Sequence, residues 1–299
     1  MNRGMKVNKR GMKDNKRGMK DNKRGMKDNK RGMKNIKKSK SNINMTGFQA
    51  LLKLNIKRRA TDGFAVGYNI VFPFLIILLL GVLCRNQFRG EITSYQYYTL
   101  VSIPFCTAMA IVTAAYAGKD DAYAKTAQRV MVAPISVETI VLCKIISCTL
   151  VLTFCSMFVL IIAGVLWRLK IFSSITEMFF LYTALSFMIS AVGTYIGLGM
   201  KNFLAIKNVM TVPIGIFAIV AGTFFPIGTV SVRMQFLMNL SPLTWINRSV
   251  FLALYDNDSY LLWLVTGVLI TVGAVLTKIS IMTFNKEEYI NGDLPGYEK

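Results

Sequence analysis

The sequence predicts an all-α integral membrane protein with six transmembrane helices, and three observations lead there. Of the 299 residues, 53% are hydrophobic and only 17% charged, a balance too apolar for an ordinary soluble chain. Six segments, roughly 64–84, 96–118, 138–167, 178–200, 207–229 and 259–284, are mostly apolar over the length of about 20 residues that a helix needs to cross the hydrocarbon core. Lys and Arg also fall unequally on the two sides that these segments define. The formal net charge of +21 is concentrated at one end: residues 1–40 hold 17 Lys/Arg and 3 Asp, and the other 259 residues hold 19 Lys/Arg and 12 Asp/Glu. The expected organisation is a basic tail over 1–45, a membrane domain over 46–285 and a short C-terminal tail over 286–299.

The tail repeats Asn-Lys-Arg-Gly-Met-Lys-Asp from Asn8, Asn15 and Asn22, and a fourth copy from Asn29 ends in Asn35. A coiled-coil seam needs two apolar positions per seven residues, whereas each unit supplies one Met and a helix-weakening Gly. With high charge and little to bury, the tail is expected to be disordered. Three uses stay open. It lies against anionic lipid head groups, it contacts nucleic acid without sequence preference, or it is an expanded repeat ahead of a functional start at Met33 or Met45. No specific nucleic-acid partner is expected, since no aromatics are interleaved to stack on bases.

From Thr46 to Ala60, Phe48, Leu52 and Ile56 recur at every fourth position with Leu51 beside them, and Lys53, Lys57, Arg58 and Arg59 take the other side. That pattern suits an amphipathic helix lying in the cytoplasmic interface, or a plain basic flank. The six spans come next. Their even number puts both termini on one side. With that side cytoplasmic, 13 Lys/Arg beyond residue 40 lie inside and 6 outside, so the chain is expected in the plasma membrane with both termini cytoplasmic. The third and sixth segments exceed the needed length and should tilt or project. Pro213 and Pro226 should kink or end the fifth. No acid or base falls mid-span; Lys144 and Lys278 lie near cytoplasmic ends and are expected to snorkel.

Between spans two and three, Asp120 and Asp121 suit the N-terminus of a short helix. Tyr123, Ala127 and Val130 then share a face, Lys125 and Arg129 take others, Pro134 ends the helix and Ser136 caps the next. Such a helix fits a groove on a soluble partner, or merely connects the spans. After span five, Phe224, Phe225 and Pro226 lead into a stretch where apolar residues such as Leu237 and Trp245 alternate with polar ones. One or two short helices dipping into the outer leaflet, interrupted at Pro242, are expected. In span four, Ser186, Ser190, Gly193 and Gly197 have the small-xxx-small spacing that lets helices approach closely, within the chain, across a dimer or along a substrate path.

The chemistry is narrowed by absence of residue types. The sequence has no His, which removes Ser-His-Asp and Cys-His catalysis and His-based metal sites. Cys84, Cys106, Cys143, Cys148 and Cys155 lie in or beside apolar runs with no CxxC pair, as small buried hydrophobes do. No GxxxxGK[ST] motif is present, so any ATP-driven work needs a partner. The missing mid-span charge disfavours coupling to an ion gradient.

These features together resemble the membrane subunits of type-2 ABC exporters. The stretch from Arg129 through Pro134-Ile-Ser136 to Lys144 is similar to that family's loop pattern. Gly222 with Phe225-Pro226, followed by Ser241-Pro242-Leu-Thr-Trp245, is similar to its late pattern. The resemblance covers about 46–285 and implies a permease, not an enzyme, that works with a second permease copy or paralogue in contact with membrane lipid. It also implies a cytoplasmic ABC ATPase that carries ATP and Mg, with no cofactor in this chain. Tyr123, Lys125, Ala127, Arg129, Val130 and Pro134 become the ATPase-coupling segment, with the helix of Phe48, Leu52, Ile56, Lys57 and Arg58 nearby. Gly222, Phe225, Pro226, Pro242 and Trp245 become an extracellular re-entrant segment. Similar proteins export drugs, antibiotics or lipid-like amphiphiles. The alternatives are an integral-membrane enzyme, an ion-coupled secondary carrier or a scaffold.

Overall fold

A computed structural model of the chain describes residues 45, 47–88, 90, 92–226 and 232–291. The repeat tail expected to be disordered, together with Thr46, Arg89, Glu91, residues 227–231 and the last residues of the C-terminal tail, lies outside the described residues. The chain divides into two units, 1–49 and 50–299. In the first, residues 47–49 are helical. The second carries the membrane-spanning helices.

That second unit is helical throughout, with no strand among the described residues. It begins with α1 over 50–61. Asp62 then separates α1 from α2 (Gly63–Leu83), its carboxylate accepting the Phe64 and Ala65 amides at 3.1 Å as an N-cap. Thr93 and Gln96 form a reciprocal capping box at the start of α3 (Ser94–Met109). After a single break at Ala110 the chain continues as α4 (Ile111–Tyr123), so that Ser94–Tyr123 forms one apolar span of 30 residues. A six-residue helix, α5 (Ala127–Val132), precedes α6 (Val137–Leu166), which Ser136 caps through the Thr139 amide. Next come α7 (Ile175–Gly199), α8 (Phe203–Val220), α9 (Val232–Leu240) and α10 (Pro242–Phe251). A π turn over Leu252–Asp256 leads to α11 (Tyr260–Met282), and α12 (Lys286–Asn291) closes the described chain.

Among the described residues, five helices are long and apolar enough to cross a membrane: Gly63–Leu83, Ser94–Tyr123, Val137–Leu166, Ile175–Gly199 and Tyr260–Met282. These correspond to five of the six expected segments, and the protein is a multi-pass membrane protein. The remaining segment, expected over 207–229, is corrected: α8 starts at Phe203 and stops at Val220. Pro213 lies inside it, and Pro226 plays no part in ending it. Gly222 takes a left-handed φ of 73°. Its amide reaches the Ile219 carbonyl at 3.2 Å while the Thr223 amide reaches Ala218 at 3.0 Å. This pair of bonds is the Schellman ending, which glycine enters without steric cost.

The core forms around α7, which packs against α11, α4 and α6. Close approach to α4 depends on missing side chains. A Cβ on Gly197 would come within 2.3 Å of the Ala115 carbonyl oxygen, and one on Gly193 within 2.4 Å of the Ala114 Cβ. Backbone-to-backbone packing of this kind holds helices together where hydrocarbon offers no hydrophobic drive. By contrast, α2 and α11 present broad apolar surfaces, including Val71, Leu75, Leu79, Val268 and Val275.

Candidate functional site

At the end of the bundle that carries α1, α5 and α12, eight charged side chains of opposite sign meet. The hub is Asp121, fully buried near the C-terminus of α4. Its Oδ1 accepts from the Arg58 guanidinium of α1 at 2.6 Å and from the Thr126 hydroxyl at 3.2 Å. Its Oδ2 accepts from the Lys144 ammonium of α6 at 2.8 Å and from the Tyr289 hydroxyl of α12 at 2.8 Å. Lys144 also donates to the Ala117 carbonyl at 2.8 Å. Beside the hub, buried Lys119 donates to the Glu288 carboxylate at 3.1 Å and to the Glu288 carbonyl at 3.2 Å. Buried Arg59 donates to Asp120 and to the Thr113 carbonyl at 3.3 Å, and forms an ion pair with Asp62 at 3.5 Å.

Arg58, Arg59, Lys119 and Lys144 oppose Asp62, Asp120, Asp121 and Glu288, so the cluster is neutral. Neutrality matters because an uncompensated buried ion costs several kcal/mol, whereas a paired one with satisfied hydrogen bonds is tolerated. Burial first, and then the charge and hydrogen bond of Asp121, push the Tyr289 phenol well above its ordinary range. Tyr289 therefore stays an O–H donor. Nothing in the cluster is a nucleophile beside a base, and among the described residues no group of three or more His, Cys, Asp or Glu is gathered around a metal position. The arrangement can bind four elements into one stiff piece.

Three expectations are corrected here. Asp120 and Asp121 do not start a loop helix; they lie in the last turn of α4, because that helix runs on to Tyr123. Lys144 does not snorkel, as its side chain is 2% exposed and its charge is met by Asp121. The buried stripe of α1 is Leu51, Asn55 and Arg59, with Arg58 half-buried alongside, and Leu52 and Ile56 are half-buried on the adjoining face. Ion pairing drew the two arginines inward. Lys57 is exposed, and Phe48 falls in the other unit. Glu288 and Tyr289 carry no motif that singles them out in the sequence. The available signal was Lys144 itself, two turns inside an apolar helix and therefore in need of an acid.

The segment Tyr123–Pro134 divides by exposure. Ala127 is buried, and Tyr123 and Val130 are half-buried against the bundle. Lys125, Arg129, Val132 and Pro134 are exposed, Val132 to 87%. At the opposite end, the Tyr97 hydroxyl donates to the Gly222 carbonyl at 2.9 Å and the Tyr98 hydroxyl to the Phe224 carbonyl at 3.1 Å. Two adjacent tyrosines of α3 thus fasten the chain leaving α8. Phe225 is exposed and Pro226 half-buried. Pro242 opens α10, where Trp245 donates its indole N–H to the Asn239 carbonyl at 2.8 Å. Ser186 and Ser190 are fully buried on α7, along the same side as Gly193 and Gly197.

No curated protein matched the chain. Residues 46–255, well over half of the chain, match the ABC-2 type transporter family. That stretch contains α1 to α10, the six-residue α5 with its exposed face, and every member of the charged cluster except Glu288 and Tyr289. The chain therefore belongs to the ABC-2 type transporter family, as a membrane component of a transporter and not itself an enzyme.

Proposed function

We propose that the chain is one permease half of an ATP-driven exporter in the plasma membrane, moving a drug-like, lipid-like or peptide amphiphile outward. Six helices cross in this reading, the five long ones and the shorter α8, with both termini cytoplasmic. The positive-inside distribution supports that orientation. The chain carries no cofactor; ATP and Mg belong to a cytoplasmic ABC ATPase, and a second permease copy or paralogue completes the path. Residues 1–45 are a dispensable basic tail, 46–285 the transmembrane domain and 286–299 the C-terminal tail.

The observation that carries the reading is the charged cluster beside α5. A transporter driven by a separate motor needs a rigid contact that converts push into helix movement. Lys125, Arg129, Val132 and Pro134 form the exposed contact, and the cluster joins the helix behind it to α1, α6 and α12. Coupling through a titrating carboxylate, as in an ion-driven carrier, is opposed by the same arrangement, since Asp121 is already committed to two cations.

The test is affinity purification of the full chain from its own membranes. An ATPase with a GxxxxGK[ST] loop is expected to co-purify, and Arg129→Glu with Val132→Asp is expected to release it without loss of helical content. Substrate transport by the purified chain with a proton gradient and no ATPase would overturn the proposal.

A further inference from the structure

A cavity of about 310 Å³ opens beside the cluster, between the end of α1, the first turn of α2 and α4. Its volume is at the lower end of ligand sites, enough for a charged head and a ring. Its walls combine three aromatic rings, Phe64, Tyr116 and Tyr123, with Arg59, Asp62 and Asp120. The one cation in that wall is the least accessible group. The Arg59 side chain is 7% exposed and its guanidinium is engaged by Asp120, Asp62 and the Thr113 carbonyl. Both carboxylates are more open, Asp62 at 34% and Asp120 at 22%. One oxygen of Asp120 accepts no hydrogen bond among the described residues. The accessible lining is thus aromatic and acidic, with a net charge of −1 for the three ionised groups.

The ammonium of Lys207, on α8, sits 4.9 Å from the centroid of the Tyr116 ring. That ring of the cavity is therefore already engaged by a cation of the chain itself. Phe64, 68% exposed at the rim, leads from the cavity onto the apolar surface of α2, where Val71 and Leu75 are also exposed. A ligand is recognised here by a positive head near Asp62 and Asp120, a ring or methyl groups against the aromatics, and an apolar remainder on α2.

We propose that this cavity is an intake site for a lipophilic cation, an amphiphile with a quaternary or delocalised positive head. The proposal deepens the export reading and rests on it for direction of movement, but binding itself needs no ATPase. In the bound state the cation shares the field of Asp62 and Asp120 with Arg59, and the rings exclude water from its apolar substituents.

The experiment uses the full chain in phosphatidylcholine nanodiscs and labelled tetraphenylphosphonium, with empty nanodiscs subtracted. Saturable binding is expected, displaced by octyltrimethylammonium and not by octyl glucoside at equal concentration. Asp62→Asn removes a charge while keeping the cap of α2, because Asn and Asp cap equally well. It should weaken phosphonium binding about tenfold. Phe64→Ala, at an exposed ring, should weaken it several-fold. Equal displacement by octyl glucoside, or an Asp62→Asn affinity within twofold of the parent, would overturn the cation site and leave the permease reading standing. Retained phosphonium binding by a chain that co-purifies with no ATPase would instead count against the permease reading alone.

Discussion

Asp121 accepts from four side chains on four different segments, and the energetic consequence of that position is asymmetric. Removing the acid alone leaves Lys144 buried without its counter-ion, whereas removing both leaves only Arg58, whose side chain is 25% exposed, as a cation that loses its partner. Asp121→Asn is therefore expected to cost about 3–5 kcal/mol, read as a large fall in the unfolding temperature of the detergent-solubilised chain. Combining Asp121→Leu with Lys144→Met should recover at least half of that loss, even though it changes more atoms. Equal damage from the single and double substitutions would show that shape, not charge pairing, sets the stability here. The same residues show why the cluster was hard to read from the chain. A helix ending with glycine announces itself, but α4 ends with Lys125 at φ 54°, its amide bonded to Ala122 and the next amide to Asp121. That is the same Schellman geometry as at Gly222, entered by a residue that gives no sequence signal. With the end of α4 hidden, Asp120 and Asp121 looked like the start of the next helix.

At the scale of elements, the apolar runs were legible because crossing a hydrocarbon core demands length and composition that few other structures share. Five spans were placed within a few residues for that reason. The end of α8 was not, since prolines were expected to terminate it and a glycine turn did so first. Contacts between helices were legible only in outline. The run Ser186, Ser190, Gly193, Gly197 marked a face fit for close packing, and the structure sets the two glycines directly on α4. A Cβ on Gly197 would meet backbone atoms of Ala115 and Gly118, at 2.3 and 2.9 Å. Backbone cannot rotate aside as a side chain can, so Gly197→Ala should destabilise by about 1–3 kcal/mol. Gly267, on α11, has nothing within 4 Å of its would-be Cβ. Gly267→Ala should therefore stabilise by about 0.5–1 kcal/mol through helix propensity. Thermal unfolding of the two variants in one detergent checks both, and a loss at Gly267 equal to that at Gly197 would refute the distinction between a packing glycine and an open one.

For the molecule as a whole, charge plays two roles that the composition merges. One is the uneven distribution of Lys and Arg that suggests an orientation. The other is invisible in any count, because the eight charges of the cluster sum to zero and come from positions as distant as Arg58 and Glu288. Long-range pairing of this kind has no local periodicity, so no reading of the chain in windows recovers it. Its mechanical meaning lies in α12. That helix comes after α11 with only a short turn between, and it is capped by the Asn285 carboxamide, which accepts the Glu287 amide at 3.0 Å. Through Tyr289 and Glu288 it fastens the end of α11 to α4 and, via Asp121, to α1 and α6. A chain ending at Asn285 would lose the carboxylate opposite Lys119 and one of the four donors to Asp121. The spans would remain, held by α7, but the end of α11 would no longer move with the piece behind α5. With the ATPase present, this truncation is expected to keep nucleotide hydrolysis while transport per ATP falls several-fold. Tyr289→Phe should show the same uncoupling more weakly, since it removes one hydrogen bond to a charged acceptor, worth about 1.5–3 kcal/mol. Its pH behaviour adds a check. Because the folded-state phenol titrates above its unfolded value, the stabilisation from Tyr289 is complete below about pH 10 and fades as pH rises beyond it. The Tyr289→Phe chain should lack that alkaline loss. Unchanged transport per ATP in the truncated chain would show that α12 is a passive cover and that α1, α4 and α6 transmit the stroke without it.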